Sequence, residues 1–233
     1  VNYSRIEDGE KALEEAFYGL ISKIPAMPDF FLVYFTESLN PQDIASAFSR
    51  LAPGVPVHGG SVCQGIMTDS GFIPGRPGVL GLFGIHDPLG DYGVDLQHFE
   101  VDPKQAAAEA IRGSLRNAGR PGESPLLVWV TSTPGHEEQV LAGIESVLGP
   151  NVPIMGGSAA DNSIAGNWSI VGSGTSSRKG VVVSSLFSSV EPGFSFHSGY
   201  TPTSYFGVAT RTNGRILQEI DGRPAALGYN EWT

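Results

Sequence analysis

The chain has 233 residues, with 14 Lys and Arg against 24 Asp and Glu and a formal net charge of −10. No basic stripe is available to neutralise phosphates, which argues against nucleic acid and anionic membrane surfaces as partners. The single cysteine, Cys63, excludes an internal disulfide framework and a cysteine zinc cluster. No run approaches 18 apolar residues and no charged-then-apolar leader opens the chain, so a cytoplasmic protein without membrane insertion is expected. Because the first residue is Val1, a leader removed by processing stays compatible with that expectation.

In chain order, Gly9 to Lys23 forms the first predicted helix. Ala12, Leu13, Ala16, Phe17, Leu20 and Ile21 fall on one face, and Pro25 and Pro28 stop it. The apolar run Phe30 to Phe35 predicts a strand covered on both faces. Asn40-Pro41 opens a second helix through Leu51, since Pro at the first helical position after Asn suits a helix start. The segment Val55-Pro56-Val57-His58-Gly59-Gly60-Ser61 predicts a short strand running into a turn. Two further strands are expected near 64–73 and 78–85, punctuated by Gly71, Pro74-Gly75 and Pro77-Gly78.

The same order then recurs. Pro103 to Ala118 predicts a helix, Pro125 to Thr131 a buried strand, and Gly135 to Leu148 a second helix. Val152-Pro153-Ile154-Met155-Gly156-Gly157-Ser158 repeats the Gly-Gly-Ser segment 97 residues after its first copy, and Gly180 to Val183 mirrors Gly78 to Leu80. Val33 and Val128 differ by 95, whereas Ile44 and Leu141 differ by 97, which suggests a two-residue insertion before the second helix of the second copy. A repeat of this length reads as a duplicated half-domain rather than a solenoid. Beyond residue 190, Phe194 to Tyr200, Tyr205 to Thr210 and Arg215 to Ile220 predict an antiparallel ribbon. Asn213-Gly214 is its hairpin signal and Asp221-Gly222 turns it again.

The expected fold is therefore α/β: an internally duplicated unit with mixed sheets and outer helices, plus a C-terminal antiparallel β ribbon. A four-layer αββα arrangement is one option. The expected organisation is a domain over 1–190, with halves of about 1–100 and 101–190, then a segment over 191–233.

Four stretches, "VPVHGGSVCQG", "TPGHEEQVLAGI", "VPIMGGSAADN" and "ILQEIDGRPAALGYNE", together resemble the FIST domain. The resemblance spans nearly the whole chain. It covers the family's N-terminal domain to about residue 190 and then the opening of its C-terminal domain, where the chain looks truncated. The resemblance implies a non-catalytic sensory and signal-transduction module for a small ligand. The ligand it suggests is an amino acid, with haem in a nitric-oxide-responsive subgroup as the alternative. A downstream signalling protein is implied as a partner.

Read as chemistry, the two Gly-Gly-Ser segments place Gly59, Gly60, Ser61, Gly156, Gly157 and Ser158 where open α/β sheets bind ligands. Backbone N–H groups there can hold a carboxylate, or the glycines can simply permit tight strand packing. Asp161 and Asn162 break the repeat, because Gln64-Gly65 stands in their place in the first copy. They are expected to meet a ligand's ammonium, the alternative being an Asx turn. For haem, His58 is the first choice among His58, His86, His98, His136 and His197, although its copy is Met155. No cofactor and no metal centre is expected otherwise, since no two histidines have local zinc spacing. Cys63 is expected to be a buried, inert thiol. A hydrolase or transferase using Ser61, Ser158 or Cys63 is the enzymatic alternative, but no nucleophile–base–orienter pattern supports it. A protein-interaction scaffold is the third reading.

Overall fold

The computed structural model describes residues 1–100, 102–172, 174–195 and 199–233. It divides into two compact units, Val1–Pro192 and Gly193–Thr233. The larger unit begins β1 (Asn2–Ser4), α1 (Gly9–Ile21), β2 (Phe30–Thr36), α2 (Pro41–Leu51), β3 (Val57–Val62), β4 (Gly65–Thr68), β5 (Gly71–Pro74) and β6 (Leu80–Ile85). It continues β7 (Asp91–His98), α3 (Pro103–Asn117), β8 (Leu127–Ser132), α4 (Glu137–Leu148), β9 (Ile154–Ser158), β10 (Ile170–Gly172), β11 (Thr175–Ser177) and β12 (Gly180–Phe187).

These strands build two mixed sheets, ordered β1-β6-β2-β3-β10-β11 and β7-β12-β8-β9. The first four strands of one sheet repeat the topology of the other. In each, a parallel pair (β2 with β3, β8 with β9) is flanked by an antiparallel strand from later in the chain. Register gives the repeat its arithmetic. Val33 pairs with Gly59 and Val130 with Gly156, so strand equivalents lie 97 apart. Thr36 exchanges hydrogen bonds with Val79 as Thr133, 97 residues later, does with Gly180. The expected 95-residue match of Val33 with Val128 is therefore corrected. Buried helix positions Ala12, Ala16 and Leu20 match Ala107, Ile111 and Leu115 at 95. The two extra residues thus lie ahead of β8, not after it. The second repeat also opens earlier than expected, at β7.

The helices start where the sequence supplies caps. Asn40 and Asp102 each precede a proline, and each side chain accepts from the backbone N–H two residues on. Helices α1 and α2 cover the outer face of the first sheet. There Phe31 lies between the rings of Phe17 and Phe48, at 5.8 and 5.5 Å. Helices α3 and α4 cover the second sheet through Ile111, Leu115, Val140 and Ile144. The inner faces meet through Phe30 and Ile170 on one side and Val94, Leu127, Val182 and Leu186 on the other. The unit is thus a four-layer αββα sandwich. Phe31 and Phe35 are wholly buried, and truncating either to alanine costs about 3–5 kcal/mol.

One asymmetry shapes everything that follows. Hairpin β10–β11 belongs to the second repeat but joins the first sheet, antiparallel to β3. Its counterpart β4–β5 forms a separate two-stranded sheet, which leaves β9 at an edge.

In the smaller unit, β13 (Ala209–Asn213), β14 (Ile216–Ile220) and β15 (Arg223–Pro224) form an antiparallel sheet, followed by α5 (Ala225–Trp232). Gly214 takes φ 55° in the β13–β14 turn, as the Asn-Gly signal requires. Tyr205 to Val208 is not a strand. The strand expected over 194–200 includes Phe196, His197 and Ser198, which lie outside the described residues.

Candidate functional site

The two Gly-Gly-Ser segments share a topological place but not an environment. Gly59 and Gly60 are buried inside β3, not in a turn. A Cβ on Gly59 would lie 2.0 Å from the Val33 carbonyl oxygen, so glycine is there to let the parallel strand approach. Gly156 does the same against Val130, at 1.8 Å. Covered by β10, Ser61 is closed off. Its hydroxyl donates to Ala160 O at 2.8 Å and accepts from Ser169 N at 2.9 Å. Gly156, Gly157 and Ser158 are exposed on the β9 edge, where Ser158 donates to Glu137 at 2.6 Å. The two strands lie in different sheets, and neither segment lines the cavities described below. Among the described residues, no imidazole hydrogen-bonds to either serine.

Asp161 also differs from its expected role. The residue is 7% exposed, and its carboxylate accepts from the backbone N–H groups of Ala165 and Asn167 at 3.0 and 2.7 Å. These bonds, led by Asn167, hold its pKa below the usual carboxylate value. The Asx-type loop closure has won over ligand contact, because the loop's own donors reach the carboxylate first.

Asn162 is different. Its backbone N–H and its side-chain amide donate to the two Glu37 carboxylate oxygens at 3.0 and 2.8 Å, and its Oδ1 accepts from Gln64 N at 2.6 Å. Glu37 follows β2 and Gln64 follows β3. This clamp therefore sits at the carboxyl ends of two neighbouring parallel strands, where α/β sheets hold ligands. A cavity of about 430 Å³ opens there, lined by Glu37, Ser38, Arg76, Asn162 and Ser163. That volume falls within the range of small-ligand sites, about 300–1,000 Å³. Arg76 is exposed, and its guanidinium makes no ion pair or hydrogen bond among the described residues. Asn162 stands out in the sequence by its break in the repeat, whereas Glu37 and Arg76 carry no local motif.

His58 lies between the sheets with no exposed surface. Its Nδ1 is 2.7 Å from Ser184 Oγ and its Nε2 2.8 Å from Thr131 Oγ1. Thr131 continues to the Tyr34 hydroxyl at 3.2 Å, which accepts from Trp129 Nε1–H at 2.8 Å. Burial pushes the His58 pKa down to about 3, so the ring is neutral. Both nitrogens are engaged in a closed core, and neither is open to a haem iron. His58 does not fit the axial-ligand role. Among the described residues, no cluster of three or more His, Cys, Asp or Glu could hold a metal ion. Cys63 is exposed at the β3–β4 bend, contrary to the buried thiol expected. No described helix is long and apolar enough to cross a membrane.

A comparison with curated proteins yields no match. A family model described as the FIST N domain matches residues 29–223, from the start of β2 into β15. That match covers most of the chain and takes in both sheets, the Asn162 clamp and the smaller unit's strands. The chain therefore belongs to the FIST family, whose domains are proposed sensory and signalling modules.

Proposed function

We propose that this chain is a non-catalytic sensory module that takes an α-amino acid in the cavity at the carboxyl ends of β2 and β3. The observation that carries this reading is the pairing of opposite charges across one cavity. The Arg76 guanidinium has no ion pair or hydrogen bond among the described residues, and Glu37 is held in place by Asn162. An amino acid supplies the complements: its carboxylate takes the Arg76 guanidinium, and its ammonium takes Glu37. Occupancy has a route outward, because Asn162 also holds Gln64 at the root of hairpin β4–β5. A ligand that draws on Glu37 shifts the clamp, and a downstream protein reads the hairpin. Ser38 and Ser163 line the same cavity, but no described imidazole hydrogen-bonds to either, so the reading is binding, not catalysis.

The test is calorimetric titration of the common amino acids onto the intact chain and onto Arg76→Ala. Arg76 is exposed, so the variant keeps the fold. Losing one charge-assisted hydrogen bond costs about 1.5–3 kcal/mol, which is roughly a 10- to 150-fold loss of affinity. Absence of binding by every amino acid, or unchanged affinity in Arg76→Ala, overturns the reading.

A further inference from the structure

A second cavity, of about 400 Å³, lies on the inner face of the first sheet. Its walls are Leu32, Tyr34, Val62, Ile66, Phe83 and Trp129, and no charged side chain lines it. Hairpin β4–β5 forms one side. It seats there because Gly81 leaves room: a Cβ on Gly81 would lie 2.6 Å from Ile66 Cδ1.

What this cavity takes follows from counting protons in the buried chain behind it. The chain runs Trp129, Tyr34, Thr131, His58, Ser184 and has four contacts. Each member carries one hydrogen to donate, since His58 is neutral, which makes five. Four contacts use four hydrogens, so one is left over. Trp129 can only donate, and it donates to Tyr34. The spare hydrogen therefore belongs to Tyr34, Thr131 or Ser184. Thr131 and Ser184 are 3% and 0% exposed, and neither has another acceptor among the described residues. A buried donor without a partner is costly. Of these three residues, Tyr34 alone lines the cavity. The stable arrangement has Ser184 donating to Nδ1, Nε2–H to Thr131 and Thr131 to Tyr34. The Tyr34 O–H is then left as the spare donor, on a residue that lines the cavity.

We infer that this cavity is a binding site for a small uncharged molecule, largely apolar, that presents one oxygen acceptor to Tyr34. Aromatic or branched ketones and esters have this chemistry. A charged ligand is disfavoured, because no charged side chain lines the walls to offset its lost hydration. The site is separate from the Glu37–Arg76 cavity, and neither reading depends on the other.

Acetophenone and ethylbenzene make the test, because they share ring and chain length and differ in the oxygen. Each is titrated onto the intact chain while the Trp129 indole N–H resonance is followed by NMR. Acetophenone is expected to move that resonance and to bind about fivefold or more tightly than ethylbenzene, the ratio one neutral hydrogen bond supplies. Tyr34→Phe should bring the two affinities together, and Thr68→Phe at the hairpin rim should weaken both. Equal affinities in the wild-type chain overturn the inference, and that comparison stands even if Tyr34→Phe does not fold. So does failure of both probes to move the Trp129 resonance, or a preference for acetophenone that survives Tyr34→Phe.

Discussion

His58 makes the stability of the larger unit depend on pH in a calculable way. The folded chain holds this imidazole neutral, with its pKa pushed down to about 3 by burial. In the unfolded chain the pKa returns to about 6.5. The unfolded state therefore takes up a proton below pH 6.5 that the folded state refuses until near pH 3. Stability from this group is fully present above pH 6.5 and is lost as pH falls from there towards 3. For one such group, going from pH 7 to pH 5 removes about 2 kcal/mol. Urea unfolding, followed by tryptophan fluorescence, should be run at both pH values on wild type and on His58→Gln. The variant will be less stable at pH 7, because Thr131 and Ser184 lose partners. That offset is constant. The measured quantity is the further loss at pH 5, which should be smaller in the variant by about 2 kcal/mol. All other titrating groups are shared and cancel. If the two losses agree within about 0.5 kcal/mol, the limit of ordinary additivity, His58 is not held neutral and the reasoning fails.

The second glycines of the two Gly-Gly-Ser copies should respond differently to one methyl group. Gly60→Ala brings a Cβ to 2.9 Å from Thr131 Cγ2 and 3.2 Å from the Ser169 carbonyl oxygen and should cost about 1–3 kcal/mol. Gly157→Ala meets nothing within 4 Å and should change stability by less than about 0.5 kcal/mol; equal urea midpoints for the pair would contradict the difference in environment. Cys63, exposed at a bend, should be labelled stoichiometrically by a maleimide without denaturant, and Cys63→Ala should unfold at the wild-type midpoint. A thiol that reacts only in urea would place it back in the core.

Much of the fold was legible because the repeat is written twice. The apolar runs at Phe30 and Leu127 and the proline-marked starts at Pro41 and Pro103 carry their own local signals. Strand β7 could have been read as well: Tyr92, Val94 and Leu96 alternate with polar or small residues. Pro88 and Gly90 just before it are turn formers that mask its start. The site was harder, because its contacts are remote. His58 meets Thr131 and Ser184, 73 and 126 positions away. Glu37 meets Asn162 at a separation of 125. The glycines misled for a physical reason. A Gly-Gly pair suits a turn, but it equally suits a strand whose neighbour must come close, and local sequence does not separate the two. Cys63 was read as buried from Val62 and Ile66 beside it, but the bend after β3 turns the thiol outward.

The exchanged hairpin also sets the order in which the chain can be completed during its synthesis. The first sheet starts at Asn2, yet the partner of Gly60 is Ile170 and the sheet is closed only by Ser177. Until that stretch leaves the ribosome, β3 has a bare backbone edge. At about 5–20 residues per second, Gly60 waits roughly 5–20 s for its partner. A bare strand edge templates pairing with other chains. The N-terminal half is thus most exposed to aggregation while the C-terminal half is still being made, because its sheet is completed only by a hairpin of the other half.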